Sequence, residues 1–76
     1  MITKTININS LDKIETFVDI INKFNGRFDL VSGCSIVNAK SIMAIFSLDI
    51  SRPVYLYIYN EESAEHVTKA LAEFEV

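Results

Sequence analysis

Ser41 lies in the segment VNAKSIMAIFSL, residues 37–48, just after Asn38, Ala39 and Lys40 and just before the apolar pair Ile42–Met43. A hydroxyl at the start of a helix can serve two purposes. It can satisfy the free N–H groups of the first turn, or it can take a phosphoryl group that those same N–H groups and the positive helix end would hold. Asn38 is itself a good cap, which leaves Ser41 free for the second purpose, and Lys40 adds a nearby cation. A second hydroxyl, Ser10, precedes the run LDKIETFVDIINKF and reads as the N-cap of a helix.

Other reactive residue types are sparse. His66 is the single histidine, four residues from both Glu62 and Ala70, on the polar side of the last helix. Without a cysteine or carboxylate cluster it is a poor metal ligand. Cys34 is the single cysteine, so neither a disulfide framework nor a structural zinc site is expected. On a hairpin strand with no cation or helix start beside it, it reads as a small buried hydrophobe rather than a reactive thiol. Tyr55, Tyr57 and Tyr59 form an alternating stripe, the wet face of a strand or a binding and self-association surface. The chain has no P-loop, GxGxxG, HExxH or nucleophile elbow, so it is not expected to be an enzyme, and no cofactor is expected.

The elements that must position these residues follow from periodicity. Residues 2–9 alternate, with Ile2, Ile6 and Ile8 opposite Thr3, Thr5, Asn7 and Asn9, which predicts a strand. Leu11, Ile14, Phe17, Val18, Ile21 and Phe24 recur at helical spacing, and Asn25–Gly26 supplies a stop, so residues 11–24 are expected to form an amphipathic helix. RFDLV and CSIV, separated by Ser32–Gly33, predict a hairpin. A helix of about two turns is expected after Asn38. PVYLYIYN reads as the clearest strand, with Pro53 at its first position. Residues 61–74 are expected to form a final helix capped by Asn60, with Ala64, Val67, Ala70, Leu71 and Phe74 on its buried face. The order β-α-β-β-α-β-α, with one polar face per strand, predicts an α+β two-layer open-faced sandwich: a four-stranded antiparallel sheet covered on one side by three helices. Its open face should carry Thr3, Thr5 and the tyrosines.

The totals agree with one small domain over residues 1–76. Half of the residues are hydrophobic, including five phenylalanines and three tyrosines, which is too many for a disordered chain. At this length every element must bury an apolar face. The net charge of −3, with basic residues scattered, argues against direct nucleic-acid or anionic-membrane binding. No apolar run reaches the length of a membrane span and no secretory h-region opens the chain, so a reducing, cytoplasmic location is expected.

The stretch VNAKSIMAIFSL resembles the central motif of the HPr proteins, the histidine-containing phosphocarriers of the bacterial sugar phosphotransferase system, whose pattern is close to V-N-x-K-S-I-M-G-x-M-S-L. Val37, Asn38, Lys40, Ser41, Ile42, Met43, Ser47 and Leu48 match it, while Ala44 replaces the usual glycine and Phe46 a methionine. Lys23–Phe24 falls at the family spacing, and the element order is that of the family. The resemblance therefore spans essentially the whole chain.

In that family a phosphocarrier histidine precedes the first helix in a pattern close to H-A-R-P-A. An ungapped count from Lys23–Phe24 lays this pattern on Ser10, Leu11, Asp12, Lys13 and Ile14. Ser10 then stands at the histidine, Asp12 at the arginine and Lys13 at the proline. A serine hydroxyl needs a base to become a nucleophile and would yield a stable ester, and Asp12 would repel an incoming phosphoryl group. Phosphocarrier activity is therefore not expected. The regulatory serine of the family matches Ser41. The resemblance implies phosphorylation of Ser41 by HPr kinase/phosphorylase, a catabolite-control transcription factor as partner, and docking through Lys40, Ile42 and Met43. The histidine-lacking, catabolite-repression branch of the family (Crh) shows the same logic. The other reading is an HPr-fold binding or assembly module that is not phosphorylated and works through its tyrosine face.

Overall fold

The computed structural model describes residues 1–76. Its elements run β1 (Ile2–Ile6), α1 (Leu11–Ile21), β2 (Phe28–Ser32), β3 (Ser35–Asn38), α2 (Ile42–Ile45), β4 (Val54–Ile58), α3 (Glu61–Ala70) and a short 3₁₀ turn (Ala72–Phe74). The four strands form one sheet in the order β1-β4-β2-β3, every neighbouring pair antiparallel. This is the α+β open-faced sandwich expected from the strand alternation.

One side of the sheet and the inner faces of the helices make the core. Ile14, Phe17 and Ile21 recur every third or fourth residue along α1 and are fully buried. They meet Phe28, Leu30, Leu56 and Ile58 from the two inner strands, with Val67 and Leu71 closing the other flank. Phe17 and Phe74 pack edge to face, with centroids 6.2 Å apart at 86°. The opposite side of the sheet has no helix over it. There Thr5 lies opposite Tyr55, which lies opposite Val31, then Ile36; Thr3, Tyr57, Asp29 and Asn38 form the next row.

Several boundaries depart from the sequence expectations, each for a local reason. β1 stops at Ile6 because the N–H of Asn7 donates to the Phe74 carbonyl at 2.8 Å and draws the chain off the sheet. Ile8 is still fully buried, so the alternation was real while the ladder was not. α1 ends at Ile21 rather than Phe24. The backbone and side-chain N–H groups of Asn22 both donate to the Val18 carbonyl, and residues 23–24 continue only as tight i→i−3 turns. Gly26 then takes φ 109°, which a side chain would resist, and a Cβ there would lie 3.3 Å from that of Asn60. Leu11 is exposed instead of contributing to the core.

Cys34 is not buried. Gly33 and Cys34 are the two loop residues between the paired Ser32 and Ser35, and Cys34 is exposed at the hairpin tip. Gly33 takes φ 59° at the first loop position, which suits a tight hairpin turn. α2 is a single turn, Ile42–Ile45, and its cap is Ser41 rather than Asn38, which is the last residue of β3. β4 begins at Val54, one residue after Pro53. The final helix breaks at Leu71 into the 3₁₀ turn, which moves Phe74 inward and leaves Ala70 exposed. Asn60 and Ser10 cap α3 and α1, their side chains accepting from the N–H groups of Glu62 and Lys13.

Candidate functional site

β3 delivers the chain to the Ser41 region through a run of fixed backbone contacts. The N–H of Ala39 donates to the Phe28 carbonyl at 2.8 Å, and Ala39 itself is fully buried. The side chain of Asn38 accepts from the N–H of Lys40 at 2.9 Å, closing an Asx turn. The ammonium of Lys40 donates to the Phe24 carbonyl at 2.6 Å and lies 5.5 Å from the centroid of the Phe28 ring. It thus ties the end of α1 to the start of α2 and is not a free cation beside Ser41.

Ser41 sits on this frame in an extended conformation (φ −101°, ψ 106°). Its N–H donates to the Asn38 carbonyl at 3.1 Å, and its carbonyl accepts from Ile45 at 3.1 Å. Its Oγ accepts from the N–H of Ala44 at 3.3 Å. The hydroxyl is therefore a cap and not, as the spacing implied, a spare first-turn group. Beyond it, Ile45 is fully buried and Ile42 half-buried against the core, while Met43 is 77% and Phe46 49% exposed. The single turn thus presents two large apolar side chains to water next to a serine hydroxyl. Phe46 lies three residues after Met43 and shares its exposed side, whereas Ile42 and Ile45, also three apart, face the core.

Ser10 also caps a helix. Its Oγ accepts from the N–H of Lys13 at 3.3 Å, and its carbonyl accepts from Ile14 at 3.0 Å. Asp12 and Lys13 are exposed in the same turn, and the Lys13 ammonium donates to the Asn9 side chain at 3.3 Å. No base is hydrogen-bonded to the Ser10 hydroxyl, and His66 is exposed on α3. No three His, Cys, Asp or Glu side chains converge as a metal site would need.

The open face holds a constellation that residue spacing did not single out. Asp29 is 5% exposed, and its Oδ2 accepts from the Tyr59 hydroxyl at 2.9 Å and from the Arg27 guanidinium at 3.1 Å. Arg27 also lies over the Tyr59 ring, 4.9 Å from its centroid. The available signal was a carboxylate between Phe28 and Leu30 in an inner strand, where a charge must be paired. The hydrogen bond to Asp29, then desolvation, raises the pKa of the Tyr59 hydroxyl. The native state therefore favours the neutral phenol. Its contribution is present below the unfolded tyrosine value of about 10 and is lost as the pH rises through the raised native value. Spectrophotometric titration of phenolate should show one late-ionising tyrosine that moves earlier in Asp29→Asn; identical curves would refute the assignment.

No protein-family model matches the chain, and no curated protein does. Solved structures do match. The crystal structure of HPr-C-His from Thermoanaerobacter tengcongensis superposes with a TM-score of 0.80 at 31% identity, covering 96% of this chain and 89% of that one. This chain belongs to the HPr family. The crystal structure of a phosphocarrier protein HPr from Bacillus anthracis str. Ames also superposes, with a TM-score of 0.71 at 25% identity over 99% of this chain and 96% of that one. HPr proteins carry phosphoryl groups rather than catalyse turnover, and this member shares their sheet and helix layout from end to end. No helix in it is long and apolar enough to cross a membrane.

Proposed function

We propose that this chain is a regulatory HPr protein of the bacterial cytoplasm, phosphorylated on Ser41 and acting through contacts with other proteins rather than by phosphoryl relay. The observation that carries this reading is the N-cap position of Ser41 beside exposed Met43. The Ala44 N–H donates to Oγ, so a phosphate on Oγ would sit at the start of α2, and the hydroxyl makes no bond as donor. Ile42, Met43 and Phe46 supply an apolar contact strip next to the added charge. A catabolite-control transcription factor is the partner expected from the family. Lys40 would support that surface by holding its base to α1 through Phe24, not by pairing with the phosphate. At the first helix, Ser10 in place of the family's histidine supplies a cap and no imidazole.

The test is incubation with ATP and an HPr kinase/phosphorylase, read by intact mass. One added phosphate is expected in the wild type and none in Ser41→Ala, whose fold is checked by circular dichroism because the lost cap costs about 1 kcal/mol. No phosphate on the wild type, with a control HPr modified in the same tube, rejects the proposal. Phosphoenolpyruvate with the general phosphotransferase enzyme I should add no acid-labile phosphate. A second reading, an assembly module without phosphorylation, draws on the open sheet face, where Ile36 is 61% and Tyr55 50% exposed.

A further inference from the structure

We infer that the free edge of β3 pairs antiparallel with β3 of a second copy of this chain, about a two-fold axis midway between the two Ile36 residues. β3 is the outermost strand on its side of the sheet. In an antiparallel pair, hydrogen-bonded and non-bonded residue pairs alternate. The bond from Ala39 N–H to the Phe28 carbonyl marks that pair as bonded. By the β2–β3 register, Leu30/Val37 and Ser32/Ser35 are then bonded, and Val31/Ile36 and Asp29/Asn38 are not. The backbone groups of Ile36 and Asn38 therefore point away from the sheet. The Asn38 carbonyl already accepts from Ser41, which leaves the N–H and C=O of Ile36 and the N–H of Asn38 open.

Natural sheets blunt such an edge with lysine, proline, a bulge or a covering segment. β3 has none of these. Residues 33–39, GCSIVNA, carry no charge in a chain whose net charge is −3. Ile36 is 61% exposed on the open face. The opposite edge is treated differently. Along β1, Ile6 bridges Glu75, the Val76 N–H donates to the Thr5 carbonyl at 3.0 Å, and Lys4 pairs with Glu75 at 3.6 Å.

These features select a second copy as the occupant. An antiparallel pair centred on Ile36 lets each Ile36 exchange both of its free backbone groups with Ile36 of the other copy, so neither group is left over. No charge from either copy enters the seam, which matters for two chains of like net charge. Pairing of β3 with β1 of another copy would build an open-ended fibre, but β1 is covered over Thr5–Asn7. Of the contacts that use the β3 edge, the isologous β3–β3 one closes at two copies. It joins the two open faces into one continuous sheet surface with the two Ile36 side chains as cross-strand neighbours. The seam is short, so the dimer is weak and concentration-dependent. It does not depend on phosphorylation of Ser41.

The experiment is sedimentation velocity over a dilution series of the whole chain. The wild type is expected to approach twice 8.6 kDa at high concentration. Ile36→Lys should retain the wild-type circular dichroism and raise the dissociation constant at least about tenfold, because it sets like charges across the axis. In a Cys34→Ser background, Ile36→Cys should cross-link with a short bismaleimide, whereas Asp19→Cys, exposed on α1, should not. A wild type that stays monomeric to about 1 mM, far above the range of specific pairing, overturns the inference. So does an unchanged dissociation constant in Ile36→Lys, or equal cross-linking of the two cysteine variants.

Discussion

Phe17→Ala is expected to leave little folded protein at room temperature. Phe17 is fully buried in the middle of α1 and packs edge to face on Phe74 at 6.2 Å. Truncating a buried phenylalanine costs about 3–5 kcal/mol in transfer and cavity terms. A domain of this size lies near the lower end of the usual range of about 5–15 kcal/mol total stability. The loss also spreads along the chain. Phe74 holds the 3₁₀ turn against α1, and its carbonyl accepts the Asn7 N–H that ends β1. Phe17→Leu keeps most of the volume and should cost less, about 1.5 kcal/mol. Urea unfolding followed by circular dichroism ranks the three proteins. A Phe17→Ala midpoint close to that of the wild type would show that this contact does not organise the core.

Asp29→Ala is expected to be the most costly change on the open face, by about 1–3 kcal/mol for the loss of charged hydrogen bonds at a buried position. Asp29 is the only buried charged residue, and both Tyr59 and Arg27 bond to the same oxygen. Arg27 is largely exposed and Tyr59 partly so, and both can turn to water when Asp29 is removed, which keeps the loss below that of a core cavity. Tyr59→Phe should fall between the wild type and Asp29→Ala, because it leaves the carboxylate one donor. The double variant should be less destabilised than the sum of the two, since both remove one bond. Strict additivity in denaturant unfolding would show that the 2.9 Å contact contributes nothing to stability.

The cluster also bears on the surface. With Asp29 paired to Arg27, the open sheet face presents threonine, tyrosine, isoleucine and asparagine to water without an unpaired charge. The exposed strip at α2 is apolar as well, but it lies on the helical layer and adjoins the Ser41 hydroxyl. The two surfaces are therefore chemically distinct: the strip gains a charge if Ser41 is modified, and the sheet face does not.

Much of this architecture was legible in the chain alone. Alternation over residues 54–58 and 3.6-residue spacing over 11–21 are local signals, strong because each element buries one face. Ser10 and Asn60 announced their caps for the same reason: a cap bonds within three residues. The segment 37–48 carried the family, and the superposed HPr structures bear out that part. Tertiary structure decided what depends on partners far along the chain. β1 ends where Phe74 offers a carbonyl to Asn7, and Lys40 turns away from Ser41 because Phe24 accepts its ammonium. Cys34 is exposed because Gly33 takes the left-handed conformation that puts both in the turn. Asp29 is tolerated in an inner strand because its carboxylate is met by Arg27 nearby and by Tyr59, thirty residues on. Local periodicity reports which face a residue prefers; it carries no information on which distant donor or acceptor will meet it, and that pairing is what placed Lys40 and Asp29.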